Sequence, residues 1–129
     1  MTVLFACTQN AGRSQMAAAL VERAAQGRAR VLSAGTQPAF AVHPAVVQAL
    51  AEVGIDISDR TPQRLTPELA QAADLLVTMG CGDACPYVPG LRMMDWPLSD
   101  PKDQPLEAVR LIRDEIARRV DALIRQLGI

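Results

Sequence analysis

Apolar and polar residues follow two rhythms along this chain. At Val3–Ala6 and Leu75–Met79 the apolar residues run almost unbroken, and such short runs predict strands covered on both faces. Ala29–Ser33 (ARVLS) and Arg92–Trp96 (RMMDW) are short enough to read as strands too. Between these stretches the apolar spacing changes to three and four. Met16, Leu20 and Ala24 recur within the alanine-rich Ser14–Gln26, with Gly27 as a stop. Pro44–Val53 carries Val46, Val47, Leu50 and Val53 on one helical face, with proline in the first turn and Gly54 past the end. Thr66-Pro67-Glu68 reads as a cap opening a short helix to Ala73. Pro105–Leu127 is the longest helix, striped by Val109, Ile112, Ile116, Val120, Leu123, Ile124 and Leu127. Gly80–Gly90 is rich in glycine and proline and predicts a loop or a broken helix.

Strands alternating with helices predict right-handed βαβ crossovers and a parallel sheet. The expected fold is α/β, a three-layer sandwich around a four-stranded parallel sheet, in one domain over residues 1–129. Ligands of such folds bind beyond the carboxyl ends of the strands. Three segments fall there: Cys7–Ser14, Gly80–Cys85 and the Asp100-Pro101 turn.

Composition narrows the function classes. The 129 residues are 50% hydrophobic and only 3% aromatic, which argues against a platform for stacking bases. The net charge is −1, and the cations are scattered among carboxylates, so nothing points to nucleic acid or an anionic membrane. The N-terminus lacks a charged leader and a long apolar run, so a cytoplasmic protein is expected. Three cysteines in such a protein favour catalysis, redox chemistry or metal binding over a disulfide framework.

The densest candidate chemistry lies in CTQNAGRSQM, residues 7–16. A cysteine ending a strand, with an arginine six residues on at a helix start, makes a cradle for an oxyanion. Backbone N–H groups of Thr8, Gln9, Asn10, Ala11, Gly12, Arg13 and Ser14 can converge on it, and the helix dipole adds positive potential. Arg13 can fork onto two oxygens of a tetrahedral anion. Such a field favours the thiolate, the reactive form of a cysteine like Cys7. Gly12 is expected to supply the backbone angles that close the loop, Ser14 to hydrogen bond the Cys7 sulfur, and Asn10 to brace the turn. The residues alone specify a cysteine nucleophile and a tetrahedral oxyanion, no more.

CTQNAGRSQM resembles the active-site loop of the low-molecular-weight tyrosine phosphatase fold, Cys-x5-Arg-Ser, and more closely that of the arsenate reductases built on it. The phosphatases usually follow Arg-Ser with proline; here Gln15-Met16 follows, as in the reductases. The likeness extends to SAGT at Ser33–Thr36, VTMGC at Val77–Cys81 and Asp100-Pro101. It implies a flavodoxin-like topology and an enzyme of arsenic detoxification with no cofactor, no metal and weak phosphatase activity. It also implies a mechanism. Cys7 attacks arsenate with Asp100 as proton donor. Cys81 takes up the adduct as a Cys7–Cys81 disulfide, and Cys85 draws the disulfide to Cys81–Cys85. Thioredoxin, or mycothiol with mycoredoxin, then reduces it. A monomer is expected. The three residues between Cys81 and Cys85 are fewer than in the thioredoxin-coupled relatives, which leaves the reductant open.

Other readings stand beside this one. Cys81 and Cys85 are half of a zinc site without a second pair, or inert buried thiols. The chain is alternatively a phosphatase for phosphotyrosine, with Tyr87 and Trp96 as the aromatics available to hold a ring, or a non-catalytic oxyanion sensor. His43 reads as a surface or cap residue and Trp96 as core. Asp95, Arg60 and Arg64 read as solvated. Some reductases hold a monovalent cation near the loop with carboxylates, but Ala17-Ala18-Ala19 and Pro62-Gln63 offer none, so no tight potassium site is expected.

Overall fold

In the computed structural model, which describes residues 1–80 and 88–129, the chain begins with β1 (Thr2–Cys7) and α1 (Arg13–Ala25). It continues through β2 (Arg30–Gly35), α2 (Pro44–Ala51), α3 (Pro67–Ala72), β3 (Leu75–Thr78), β4 (Arg92–Asp95) and α4 (Leu106–Leu127). The four strands form one parallel sheet in the order β2-β1-β3-β4. The elements expected from the hydrophobic pattern are all present, with ends shifted by a few residues.

Period-two alternation along β1 sorts its side chains onto two layers. Val3, Phe5 and Cys7 pack with α1, α2 and α4 in the larger core, which also holds Leu50, Ile57, Ile116 and Leu123. Leu4 and Ala6 face the other way, with Ala34, Leu76 and the α3-side residues Ala70 and Ala73. Val3 through Ala6 are fully buried, as an unbroken apolar run in a doubly covered strand requires. Trp96 is core as expected, 5.7 Å from Phe5 between ring centroids.

The helix ends differ in detail from the sequence reading. α1 closes on Gln26, whose φ of 51° is left-handed and whose N–H reaches Glu22 O, one residue before the expected glycine. α2 ends at Ala51, and a turn through Val53 and Gly54 follows, tied to Leu50 and Ala51 carbonyls. α3 is capped as expected, with Thr66 Oγ1 accepting from Leu69 N at 3.2 Å. In α4 the residues Val109, Ile116, Val120 and Leu123 are buried, while Ile112, Ile124 and Leu127 flank them. Among the described residues no helix is long and apolar enough to cross a membrane.

The strand order matters for the site. From β1 the chain runs to β2 on one side, and β3 then joins on the other, so the direction of strand addition diverges at the two central strands. That divergence opens a crevice at the carboxyl ends of the two central strands. Cys7 and Gly80 stand at its edges.

Candidate active site

Cys7 is the last residue of β1, paired with Gly35 and only 2% exposed. Its Sγ lies 2.9 Å from Ser14 Oγ and accepts from Asn10 N at 3.2 Å. Both contacts come from the loop that follows, so the thiol sits inside the turn made by its own downstream residues.

The loop is held open by its carbonyls. Those of Cys7, Thr8, Gln9 and Ala11 accept from the amides of Thr36, Gln37, Ala39 and His43, at 2.8–3.2 Å. The Asn10 carbonyl accepts from Gln15 Nε2 at 3.0 Å, and that of Gly12 from Met16 N at 3.0 Å. With six consecutive carbonyls drawn outward, the amides are turned toward the concave side, where an anion would lie. Gly12 is the N-cap of α1 without a side-chain cap bond, so the helix start also faces this space.

The left-handed turn falls on Asn10 (φ 51°), a residue type that tolerates it. Fully buried, Asn10 donates from Nδ2 to Ser14 Oγ at 2.8 Å, and its Oδ1 accepts from Gln63 N at 3.0 Å and Gln15 Nε2 at 3.2 Å. Gly12, expected to supply backbone angles that close the loop, adopts a conformation outside the helical and extended regions. Its φ is −136°, and its small size serves another purpose: a Cβ there would stand 2.5 Å from Pro101 Cγ. The buried Pro101 thus brings the Asp100 turn directly onto the loop. Gly35 plays a similar part from β2, where a Cβ would meet Thr8 O at 2.6 Å and Asn10 N at 2.8 Å.

Arg13 is 7% exposed, and its fork points to the segment after β4. Nη1 donates to Leu98 O at 3.1 Å, and Nη2 lies 3.7 Å from Asp100 Oδ2. Asp100 Oδ1 accepts from Lys102 N at 3.0 Å in a local turn, and its side chain is half exposed. The arginine and the carboxylate therefore meet from α1 and the post-β4 turn, against the loop that carries the nucleophile candidate. Thr8 and Gln9 are partly exposed at the rim, while Ala11 and Ser14 are fully buried. Cys81, Cys85 and Tyr87 lie outside the described residues. Among the described ones, no group of three or more His, Cys, Asp or Glu could hold a metal.

Other residues resolve as follows. His43 occupies the N-cap position of α2 with no side-chain cap bond. Arg60 is not merely solvated: Nη2 pairs with Glu22 Oε2 at 2.6 Å. Nor is Asp95, whose Oδ1 accepts from Thr78 Oγ1 at 2.7 Å and ties the end of β3 to that of β4. Arg64 is exposed and donates to Thr36 O at 3.3 Å. Not legible from the sequence were the support that Gln15 gives Asn10 from within the same stretch, and that of Gln63, Gly35 and Gly80 from distant positions. Sequence reasoning also missed Phe40, fully exposed next to Ala39, whose amide holds Gln9 O. A phenylalanine between Pro38 and Pro44, outside every predicted element, was the available signal.

A sequence model described as low molecular weight phosphotyrosine protein phosphatase matches residues 2–128. The chain belongs to this family. Within it, the chain is 38% identical over 123 residues to arsenate reductase 1 of Bacillus cereus, covering 92% of this chain and 90% of that protein. It is 35% identical over 129 residues to the glutaredoxin arsenate reductase of Synechocystis, with 98% of each covered. The solved structure of a thioredoxin-dependent arsenate reductase from Corynebacterium glutamicum superposes with a TM-score of 0.86 at 42% identity. That match covers 99% of this chain, which spans 63% of the solved one.

Proposed function

We propose that this protein reduces arsenate to arsenite through a three-cysteine relay. The observation that carries the proposal is the loop itself: Cys7 Sγ held by Ser14 and Asn10 inside a ring of outward-bound carbonyls, with Arg13, at the end of that loop, paired to Asp100. Arsenate, a tetrahedral oxyanion, fits amides, a helix start and an arginine fork. The Cys7 thiolate bonds to arsenic, and hydroxide leaves as water with a proton from Asp100. Thr8, Gln9, Asn10, Ala11, Gly12, Arg13 and Ser14 hold the remaining oxygens. Cys81 then attacks the Cys7 sulfur. The sulfur–arsenic bond breaks with its electron pair on arsenic, so As(V) becomes As(III) and two thiols become the Cys7–Cys81 disulfide. Attack by Cys85 on Cys81 frees Cys7 and leaves Cys81–Cys85 for an outside reductant.

The reductase names of the relatives support arsenate as the substrate, and the Corynebacterium structure supports thioredoxin as the reductant. Mycothiol with mycoredoxin is the alternative donor. The proposal includes a monomeric, single-domain protein over residues 1–129 working in the cytoplasm on arsenic detoxification.

A phosphatase reading shares Cys7, Arg13 and Asp100, and one observation favours keeping it: the fully exposed Phe40, whose neighbour Ala39 is bonded to the loop, could flank an aryl phosphate. The two readings part in single turnover. Reduced protein mixed with arsenate and no added thiol should release one arsenite per chain, and Cys7→Ser none. Hydrolysis of an aryl phosphate at high turnover, with no arsenite formed, would instead establish the phosphatase. Multiple turnover with thioredoxin and its reductase, compared with mycothiol and mycoredoxin, identifies the donor.

A further inference from the structure

The oxyanion loop is supported by a residue on the neighbouring strand exit. Gly80 leaves β3 with φ +90°, and its carbonyl accepts from Thr8 Oγ1 at 3.3 Å. The Arg13 guanidinium occupies the place of the missing side chain. A Cβ on Gly80 would collide with Arg13 Nη1, 3.0 Å from Cζ and 3.4 Å from Nη2. From another segment, Leu98 O holds Nη1 at 3.1 Å and Asp100 stands 3.7 Å from Nη2. The fork thus has one seat, bounded by the bare α-carbon of Gly80 and by the segment after β4.

We propose that Gly80 is a positioning residue for Arg13, setting where the guanidinium meets a tetrahedral oxyanion in the loop. The proposal rests on the oxyanion-loop reading and adds a specific cause for the glycine. Carbon and guanidinium atoms in contact need ~3.5 Å between centres, so any side chain at 80 moves the fork by a large part of a bond length or more. A bidentate contact does not survive such a shift. Gly80 also directly precedes Cys81 in the sequence.

Two other glycines provide controls. Gly27 and Gly54 have φ of +83° and +85°, and among the described residues a Cβ on either meets nothing within 4 Å. Gly27→Ala and Gly54→Ala therefore carry the backbone strain of a left-handed alanine without the collision. Inorganic phosphate is the probe, titrated calorimetrically into reduced full-length protein. Gly80→Ala should weaken phosphate binding at least tenfold and raise KM for arsenate in parallel, while both control variants bind as the parent does. Parental phosphate affinity in Gly80→Ala, with Arg13→Ala binding lost, would overturn the positioning role and leave the oxyanion loop standing. Parental affinity in Arg13→Ala would overturn both. If Gly80→Ala folds poorly, the pair Arg13→Ala and Arg13→Ala/Gly80→Ala decides by thermal unfolding. With the guanidinium gone, the added loss in Tm should match that of Gly54→Ala. A loss as large as in the presence of Arg13 would contradict the proposal.

Discussion

At Asn10 the backbone turns left-handed, and a single buried amide side chain binds Ser14, Gln15 and the Gln63 backbone. Alanine there strips partners from buried groups, each of which costs ~1–3 kcal/mol when orphaned. Asn10→Ala should therefore lose about 2 kcal/mol or more in urea unfolding and should also bind phosphate poorly. Ser14→Ala removes the hydroxyl 2.9 Å from the Cys7 sulfur, and with it the acceptor of Asn10 Nδ2. A hydrogen bond to a charged group contributes ~1.5–3 kcal/mol, so single-turnover reduction should slow roughly 10- to 100-fold. The midpoint of unfolding should move less than for Asn10→Ala, since one buried donor is orphaned rather than several groups. Cys7, Arg13 and Ser14 were legible because their arrangement is local: strand, seven-residue span, helix. The close approaches at Gly12, Gly35 and Gly80 were not. Each glycine is small to let a segment from elsewhere approach, and the sequence carries no trace of which segment that is.

Among the elements, α2 and α4 are joined by a carboxylate that the hydrophobic pattern does not reveal. Glu52, at the end of α2, accepts from Arg110 Nη2 at 2.6 Å and Arg113 Nη1 at 2.9 Å on α4. Hydrogen bonding to Arg110, and then to Arg113, lowers its pKa from an ordinary 4.5 to about 2 against the opposing effect of desolvation. A depressed carboxylate contributes stability that is present above its unfolded pKa and lost as pH falls through its folded one. The Tm difference between the parent and Glu52→Gln should thus be full at neutral pH and shrink between pH 4.5 and about 2. A difference independent of pH would assign the effect to packing. The stripe of α4 was readable because its other face is solvated; Ile116→Ala, at its buried centre, should cost ~2–5 kcal/mol. α1 gave only Met16, Leu20 and Ala24 as a face, yet every residue from Arg13 to Val21 is buried. Its run of alanines lets the helix lie close to its neighbours, and a helix covered on most sides leaves little periodicity to read.

For the whole molecule, strand alternation with helices predicted the layers, and β2-β1-β3-β4 puts the exit of β1, with Cys7 and the loop to Arg13, at the centre of the sheet. Family membership explains the shared loop, since phosphoryl and arsenyl groups pose the same problem of holding four oxygens while sulfur attacks the centre. What separates the two chemistries in this account is a route for electrons through Cys81 and Cys85. The most direct test is to mix reduced Cys85→Ser with arsenate in the absence of other thiols and map disulfides by mass spectrometry under non-reducing conditions. The account predicts one arsenite per chain and a trapped Cys7–Cys81 disulfide, where the parent protein ends as Cys81–Cys85. Stoichiometric arsenite from Cys81→Ser under the same conditions, or its release from Cys85→Ser without a Cys7–Cys81 bond, would contradict the relay.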